Sequence, residues 1–131
     1  MEVLAERILQ RRAHHDFYTD LFSEIDAVDV FTEANSDFYS NHWLTTITIN
    51  KNLTAVTNHD LMNAFAEKNI ETRPLWKPMH LQPVFTDCPY YGENVAEELF
   101  NHGLCLPSGS NLTNDDKKRI YDVVSNFQFI K

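Results

Sequence analysis

The stretch Gly103-Leu104-Cys105-Leu106-Pro107-Ser108-Gly109-Ser110-Asn111-Leu112-Thr113-Asn114-Asp115-Asp116 sets a helix stop, an apolar run, a turn and a helix start in close succession. Gly103 ends the helical pattern that runs from Glu93 to Asn101, and is expected as its C′ residue. Leu104-Cys105-Leu106 then reads as a short buried strand, and the Pro-Ser-Gly-Ser run as a turn. Thr113 and Asp116 have capping-box spacing, with Asp115 and Asp116 at the positive end of the helix dipole, so a last helix should run to Val124 or Phe127.

Upstream the same alternation continues. From Met1 to about Glu24 the apolar positions Leu4, Ile8, Tyr18, Leu21 and Ile25 recur at helical intervals without Gly or Pro, which predicts a long first helix. His14 and His15 diverge by about 100° on that helix, cannot bind one ion from the same face, and read as surface residues. Residues 26–32 suit a short strand. The run from His42 to Ile49 is the clearest strand, with β-branched and aromatic residues interleaved with threonines. Thr57 to Asp60 is another capping box, opening a helix to about Lys68. Ile70 to Pro74 should form a strand and Asp87 to Gly92 a turn. Together these elements predict an α+β fold in two layers, a mainly antiparallel sheet covered by helices on one side.

The last upstream strand delivers Arg73-Pro74-Leu75-Trp76-Lys77-Pro78-Met79-His80-Leu81-Gln82-Pro83, in which three prolines stiffen the backbone around a guanidinium, an ammonium, an indole and an imidazole. Two readings stand together. As a ligand loop it presents cations suited to carboxylate or phosphate. As a rigid connection it would plug Leu75, Trp76 and Met79 into a core, and Trp76 taken alone reads as a core anchor. Arg73, at the end of a strand, is the first candidate for a paired carboxylate or diphosphate contact; the competing role is an ion pair with one of the 19 acids. The Ser108-Gly109-Ser110 turn before a helix offers a weaker phosphate cradle.

The Arg-Pro-rich loop, the helix after it and the Gly-Leu-Cys-Leu-Pro-Ser-Gly run into a Thr-opened helix resemble the C-terminal part of the DegT/DnrJ/StrS family of sugar aminotransferases. The resemblance is specific from about Ile70 to Val124 and looser before Asn41. It implies the small domain of the type-I aminotransferase fold, with residues 1–131 as one domain and the large cofactor-binding domain missing or on another chain. Members use pyridoxal phosphate, and nothing here matches the motifs of the Schiff-base lysine, the aspartate on the pyridine nitrogen or the phosphate cradle. No cofactor and no activity are therefore expected of the chain alone. Similar loops reach the active-site mouth, so the resemblance implies substrate-binding roles for Arg73, Lys77, His80 and Gln82. The implied reaction moves an amino group from glutamate to a nucleotide-linked keto sugar. The Arg-Pro-Leu-Trp-Lys-Pro-Met-His form looks most like members acting on a 4-keto-6-deoxy N-acetylhexosamine.

Composition sets outer bounds. The chain of 131 residues is 43% hydrophobic with nine Phe, which suits a packed domain but is short for a complete cofactor enzyme. A net charge of −8 argues against nonspecific binding to nucleic acid or an anionic membrane. No apolar run reaches the roughly 18 residues of a membrane span, and the whole reads as cytoplasmic. Cys88 and Cys105 lack metal spacing and read as free thiols. Apolar surface left by an absent neighbour predicts a homo-oligomer. A different class, a stand-alone binding or interaction module that kept the fold without the reaction, fits the same residues.

Overall fold

A computed structural model describes residues 2–129. Four helices, α1 (Leu4–Phe22), α2 (Asn58–Glu67), α3 (Val95–His102) and α4 (Asn114–Asn126), alternate with strands β1 (Val28–Val30), β2 (Thr45–Ile49), β3 (Arg73–Pro74) and β4 (Gly103–Leu106). The sheet has the order β1-β2-β4-β3, and every neighbouring pair is antiparallel. The α+β expectation holds.

Alternation along the strands decides what each face does. In β2, Thr45, Ile47 and Ile49 are buried while Thr46 and Thr48 are half-buried. The register sets Ile47 between Val30 and Leu104, so one apolar row crosses three strands. Helices α1, α2 and α4 close this face with Tyr18, Phe22, Leu61, Phe65, Ile120 and Val124, forming one continuous core. Fully burying an aliphatic or aromatic side chain of this kind contributes about 1.5–3 kcal/mol, which makes this face the main source of stability. Helix α3 lies against the opposite face, because a β-carbon on Gly103 would point at the Leu99 carbonyl oxygen and the Leu75 side chain.

Both capping boxes form. Thr57 accepts from the Asp60 backbone at 3.2 Å and Thr113 from the Asp116 backbone at 3.2 Å, with the reciprocal carboxylate bonds also made. Several long-range polar bonds then fix the layers. The Tyr18 hydroxyl donates to the Pro107 carbonyl at 2.8 Å, and burial pushes its phenol pKa up. Asn58 donates to the Gly103 carbonyl at 3.0 Å. Ser108 Oγ accepts from the Thr45 backbone and donates to the Leu106 carbonyl, both at 2.8 Å, so this serine ties the turn to the sheet.

Some expectations are corrected. The first helix buries His14, His15, Tyr18 and Phe22, whereas Leu4 is exposed and Ile8 only half-buried; Met1 lies outside the described residues. The two histidines are not surface groups: the loop of residues 31–44 folds over His15, with the Phe31 carbonyl and the His42 ring against it, whereas His14 is buried near Gly109 and Lys117. That loop also delays β2 to Thr45, since His42 adopts a left-handed φ of 43° and breaks the extended run. Gly103 is no left-handed C′ residue: its φ of −94° and ψ of 155° are extended, and it opens β4 while its N–H still bonds to the Leu99 carbonyl. Close packing, not positive φ, requires glycine there.

Candidate functional site

The Pro-rich loop starts at the sheet edge. β3 pairs with β4 so that Arg73 lies opposite Cys105 and Pro74 opposite Leu104, putting Arg73 in the row of the second face that also holds Thr46. Leu75 packs over Gly103. Beyond it the chain makes two short 3-10 turns, Met79–Leu81 and Pro83–Phe85, entered from Pro78 with ψ 147° and from Gln82 with ψ 138°, the latter the extended geometry that Pro83 imposes on the residue before it.

His80 is the most constrained of the predicted residues. Its Nε2 lies 2.7 Å from Glu97 Oε1 on α3, and its ring stacks on Tyr90 with centroids 3.8 Å apart. The Tyr90 hydroxyl is held in turn by the Glu93 carbonyl at 2.6 Å. Met79, His80, Phe85, Cys88, Pro89 and Tyr90 line a small hollow of about 240 Å³ there. Gln82 donates to the Lys77 carbonyl at 3.3 Å and closes the loop on itself, leaving the Lys77 side chain in solvent. The Arg73 guanidinium bonds to Glu71 Oε1 at 2.8 and 2.5 Å, with both side chains more than 70% exposed. Thus Gln82 and Lys77 are joined, whereas no hydrogen bond among the described residues links Arg73 to His80.

The core-anchor reading of Trp76 is overturned. It is 66% exposed and Met79 is 65% exposed, because Leu75 alone occupies the space beside Gly103. Trp76 instead meets Trp43 with ring centroids 6.1 Å apart, so the loop before β2 and the Pro-rich loop share one surface.

A network behind Trp43 fixes that first loop, and sequence reasoning missed it. Arg12 on α1 bonds to Glu33 Oε1 at 2.8 Å and to the Ser40 carbonyl at 2.5 Å, with its guanidinium 4.3 Å from the centroid of the Tyr39 ring. Glu33 Oε2 reaches His42 Nε2 at 3.2 Å, and His42 stacks on His15 at 3.7 Å. Arg11 donates to the Ser108 carbonyl at 3.0 Å and to the Trp43 carbonyl. The Arg12 hydrogen bond, together with the Ser40 backbone, holds the Glu33 carboxyl down at about 2. Burial lowers His42, with His15 adding to it and Glu33 opposing. Burial also lowers His14, with Lys117 and Arg11 adding to it and the Gly109 backbone opposing. The only sequence signal was the pair Arg11-Arg12 next to His14-His15, with no indication of its partners.

Residues 1–125 match the DegT/DnrJ/EryC1/StrS aminotransferase family. The chain belongs to this family. It is 41% identical over 128 residues to EpsN of Bacillus subtilis (strain 168), which is named as a pyridoxal phosphate-dependent aminotransferase, covering 95% of this chain and 32% of EpsN. To GDP-perosamine synthase of Escherichia coli O157:H7 it is 29% identical, covering 97% of this chain and 33% of that protein. Among solved structures, DesV of S. venezuelae in complex with a ketimine intermediate superposes with a TM-score of 0.80 at 20% identity, over 94% of this chain and 32% of DesV. The chain therefore spans about a third of the length of the relatives it matches, and it has their α+β fold.

The family works through pyridoxal phosphate, which needs a desolvated lysine amine to form its internal linkage. The described lysines do not fit that task. Lys51 is tied to Glu98 at 3.0 Å, Lys68, Lys77 and Lys118 are exposed, and Lys117 lies over the Phe17 ring. Cys88 and Cys105 are free, and no group of three metal-ligating side chains occurs among the described residues. No helix among them is long and apolar enough to cross a membrane.

Proposed function

We propose that this chain is the C-terminal small domain of a pyridoxal-phosphate-dependent aminotransferase that takes an amino group from glutamate and delivers it to the keto carbon of a sugar linked to a nucleoside diphosphate. The observation that carries the reading is the Pro-rich loop, which holds Arg73, Lys77, His80 and Gln82 along one stiff segment at the sheet edge, in a chain that belongs to this family. Arg73 and Lys77 supply positive charge for a diphosphate or the donor carboxylate, and an Arg fork recognises either in paired fashion. His80 and Gln82 supply directed hydrogen bonds for sugar hydroxyls or phosphate oxygens. GDP-perosamine synthase and the neighbour DesI, solved with its TDP-sugar product, support a sugar nucleotide as the substrate class. The loop's Arg-Pro-Leu-Trp-Lys-Pro-Met-His form favours a 4-keto-6-deoxy N-acetylhexosamine.

On this reading a large domain, on another segment or chain, brings the cofactor, its lysine and the rest of the pocket. Residues 1–131 act as one domain, inactive alone. The exposed Val3, Leu4 and Leu9 on and beside α1 then belong to contacts with that domain or with a second copy. The test is to assay glutamate-dependent amination of nucleoside-diphosphate keto sugars by the chain alone and by the chain joined to a lysine-bearing large domain. Turnover should need the large domain, and borohydride should trap no stoichiometric pyridoxal adduct on the chain alone. A single fully labelled lysine in the isolated chain would refute the small-domain reading. So would a completed, cofactor-loaded assembly that aminates no keto sugar.

A further inference from the structure

We infer that Glu97 is a positioning residue for His80: it selects which ring nitrogen the imidazole presents to the sugar nucleotide. This inference rests on the proposal that the Pro-rich loop faces that substrate. A charged carboxylate only accepts hydrogen bonds, so the 2.7 Å contact between His80 Nε2 and Glu97 Oε1 requires Nε2 to carry the proton and donate. Glu97 lies in the first turn of α3, where the helix dipole favours a charged carboxylate. Its neighbour Glu98 points elsewhere, engaging Lys51 and His102, so the acceptor at His80 is Glu97 alone.

The ring is also fixed in rotation. Tyr90 stacks on it with an interplanar angle of 25°, and Tyr90 is itself tied to the Glu93 carbonyl. The backbone of His80 belongs to the 3-10 turn Met79–Leu81, which starts after Pro78 and ends just before Pro83. The Glu97 contact is the one hydrogen bond to the His80 ring among the described residues, which leaves Nδ1 available. A neutral His80 thus offers Nδ1 as an acceptor for a sugar hydroxyl; a protonated one offers it as a second donor for a phosphate oxygen. A histidine free to flip would offer either nitrogen and would pay an ordering cost on binding, which this arrangement removes in advance.

The experiment has two arms. In the ¹⁵N-labelled chain, imidazole nitrogen shifts at a pH of about 8, above the ordinary histidine range, should show His80 as the Nε2–H tautomer. Glu97→Gln, whose amide can donate as well as accept, should give a mixture of tautomers. A parent spectrum with the proton on Nδ1, or an unchanged spectrum in Glu97→Gln, overturns the inference. In the aminotransferase completed by a large domain, Glu97→Gln should raise KM for the nucleotide sugar roughly tenfold, in line with other residues that orient a functional histidine, and leave KM for glutamate unchanged. A lowered melting temperature with KM unmoved makes Glu97 purely structural and overturns the inference. His80→Ala separates the layers. If it raises KM while Glu97→Gln does not, the positioning role alone falls; if neither variant moves KM, the loop reading falls and takes this inference with it.

Discussion

Replacing Gly103 by alanine tests the join between α3, β4 and the Pro-rich loop. The added methyl would overlap the Leu75 side chain and the Leu99 carbonyl oxygen. Leu75 can rotate, but the carbonyl is fixed, since it accepts the hydrogen bond from the N–H of Gly103 itself. Overpacking a tight site costs about 1–3 kcal/mol, and weakening that backbone bond adds about 0.5–1.5 kcal/mol. Gly103 already has negative φ, so alanine recovers about 0.4–1 kcal/mol by restricting the unfolded chain. The net expectation is a loss of about 0.5–4 kcal/mol, centred near 2, or a fall of roughly 3–5 °C in melting temperature per kcal/mol for a domain of this size. Urea unfolding followed by far-ultraviolet circular dichroism measures it. Gly109→Ala is the control: its methyl meets only Asn111 Oδ1, at 2.5 Å, a side-chain end that can swing aside. That variant should stay within about 0.5 kcal/mol of the parent. If Gly103→Ala unfolds no earlier than Gly109→Ala, the packing argument for this glycine is wrong.

Acid should loosen the loop of residues 31–44 in two stages. His42 has a lowered pKa, so the stability it confers is present above the ordinary histidine value near 6.5 and declines as pH falls below it. Glu33, held down at about 2 from an ordinary 4.5, confers stability that is lost between those values; the protection factor of the Ser40 amide, taken against intrinsic exchange at each pH, should fall across both ranges, and a flat profile would discredit the network. Arg73→Ala should leave the melting temperature nearly unchanged, because its Glu71 partner is also exposed, yet should raise KM in the completed enzyme roughly ten- to a hundredfold. A lower melting temperature with unchanged kinetics would reassign Arg73 to structure. Sedimentation of the chain at high concentration should show self-association, and a strict monomer would exclude a second copy as the partner of the exposed residues on α1.

What was legible in the sequence was local. Thr57 with Asp60 and Thr113 with Asp116 lie one helical turn apart, so both caps could be read directly, and the Thr-Ile alternation of β2 predicted its buried face. The failures share a cause in distance along the chain. His14 and His15 read as surface groups because what covers them is distant in sequence: the Phe31 carbonyl contacts His15 and His42 stacks on it, while Gly109 and Lys117 lie beside His14. His80 could be picked out from its loop, but its partner Glu97 lies 17 positions on, in a helix where the adjacent Glu98 looked equivalent. Trp76 was misread because an aromatic between prolines carries no information on whether a smaller neighbour, here Leu75, has already taken the core space.

The protein has two tryptophans, and both belong to the Trp43 and Trp76 pair at the meeting of the two loops. Its tryptophan fluorescence, excited at wavelengths that its five tyrosines do not absorb, therefore originates entirely from that surface. Neither indole is diluted by a reporter elsewhere in the core, so a small change in the spacing of the loops should alter emission or exciton coupling without any label. Docking of a large domain, entry of a sugar nucleotide and acid release of the first loop would each be readable as an optical signal native to the chain.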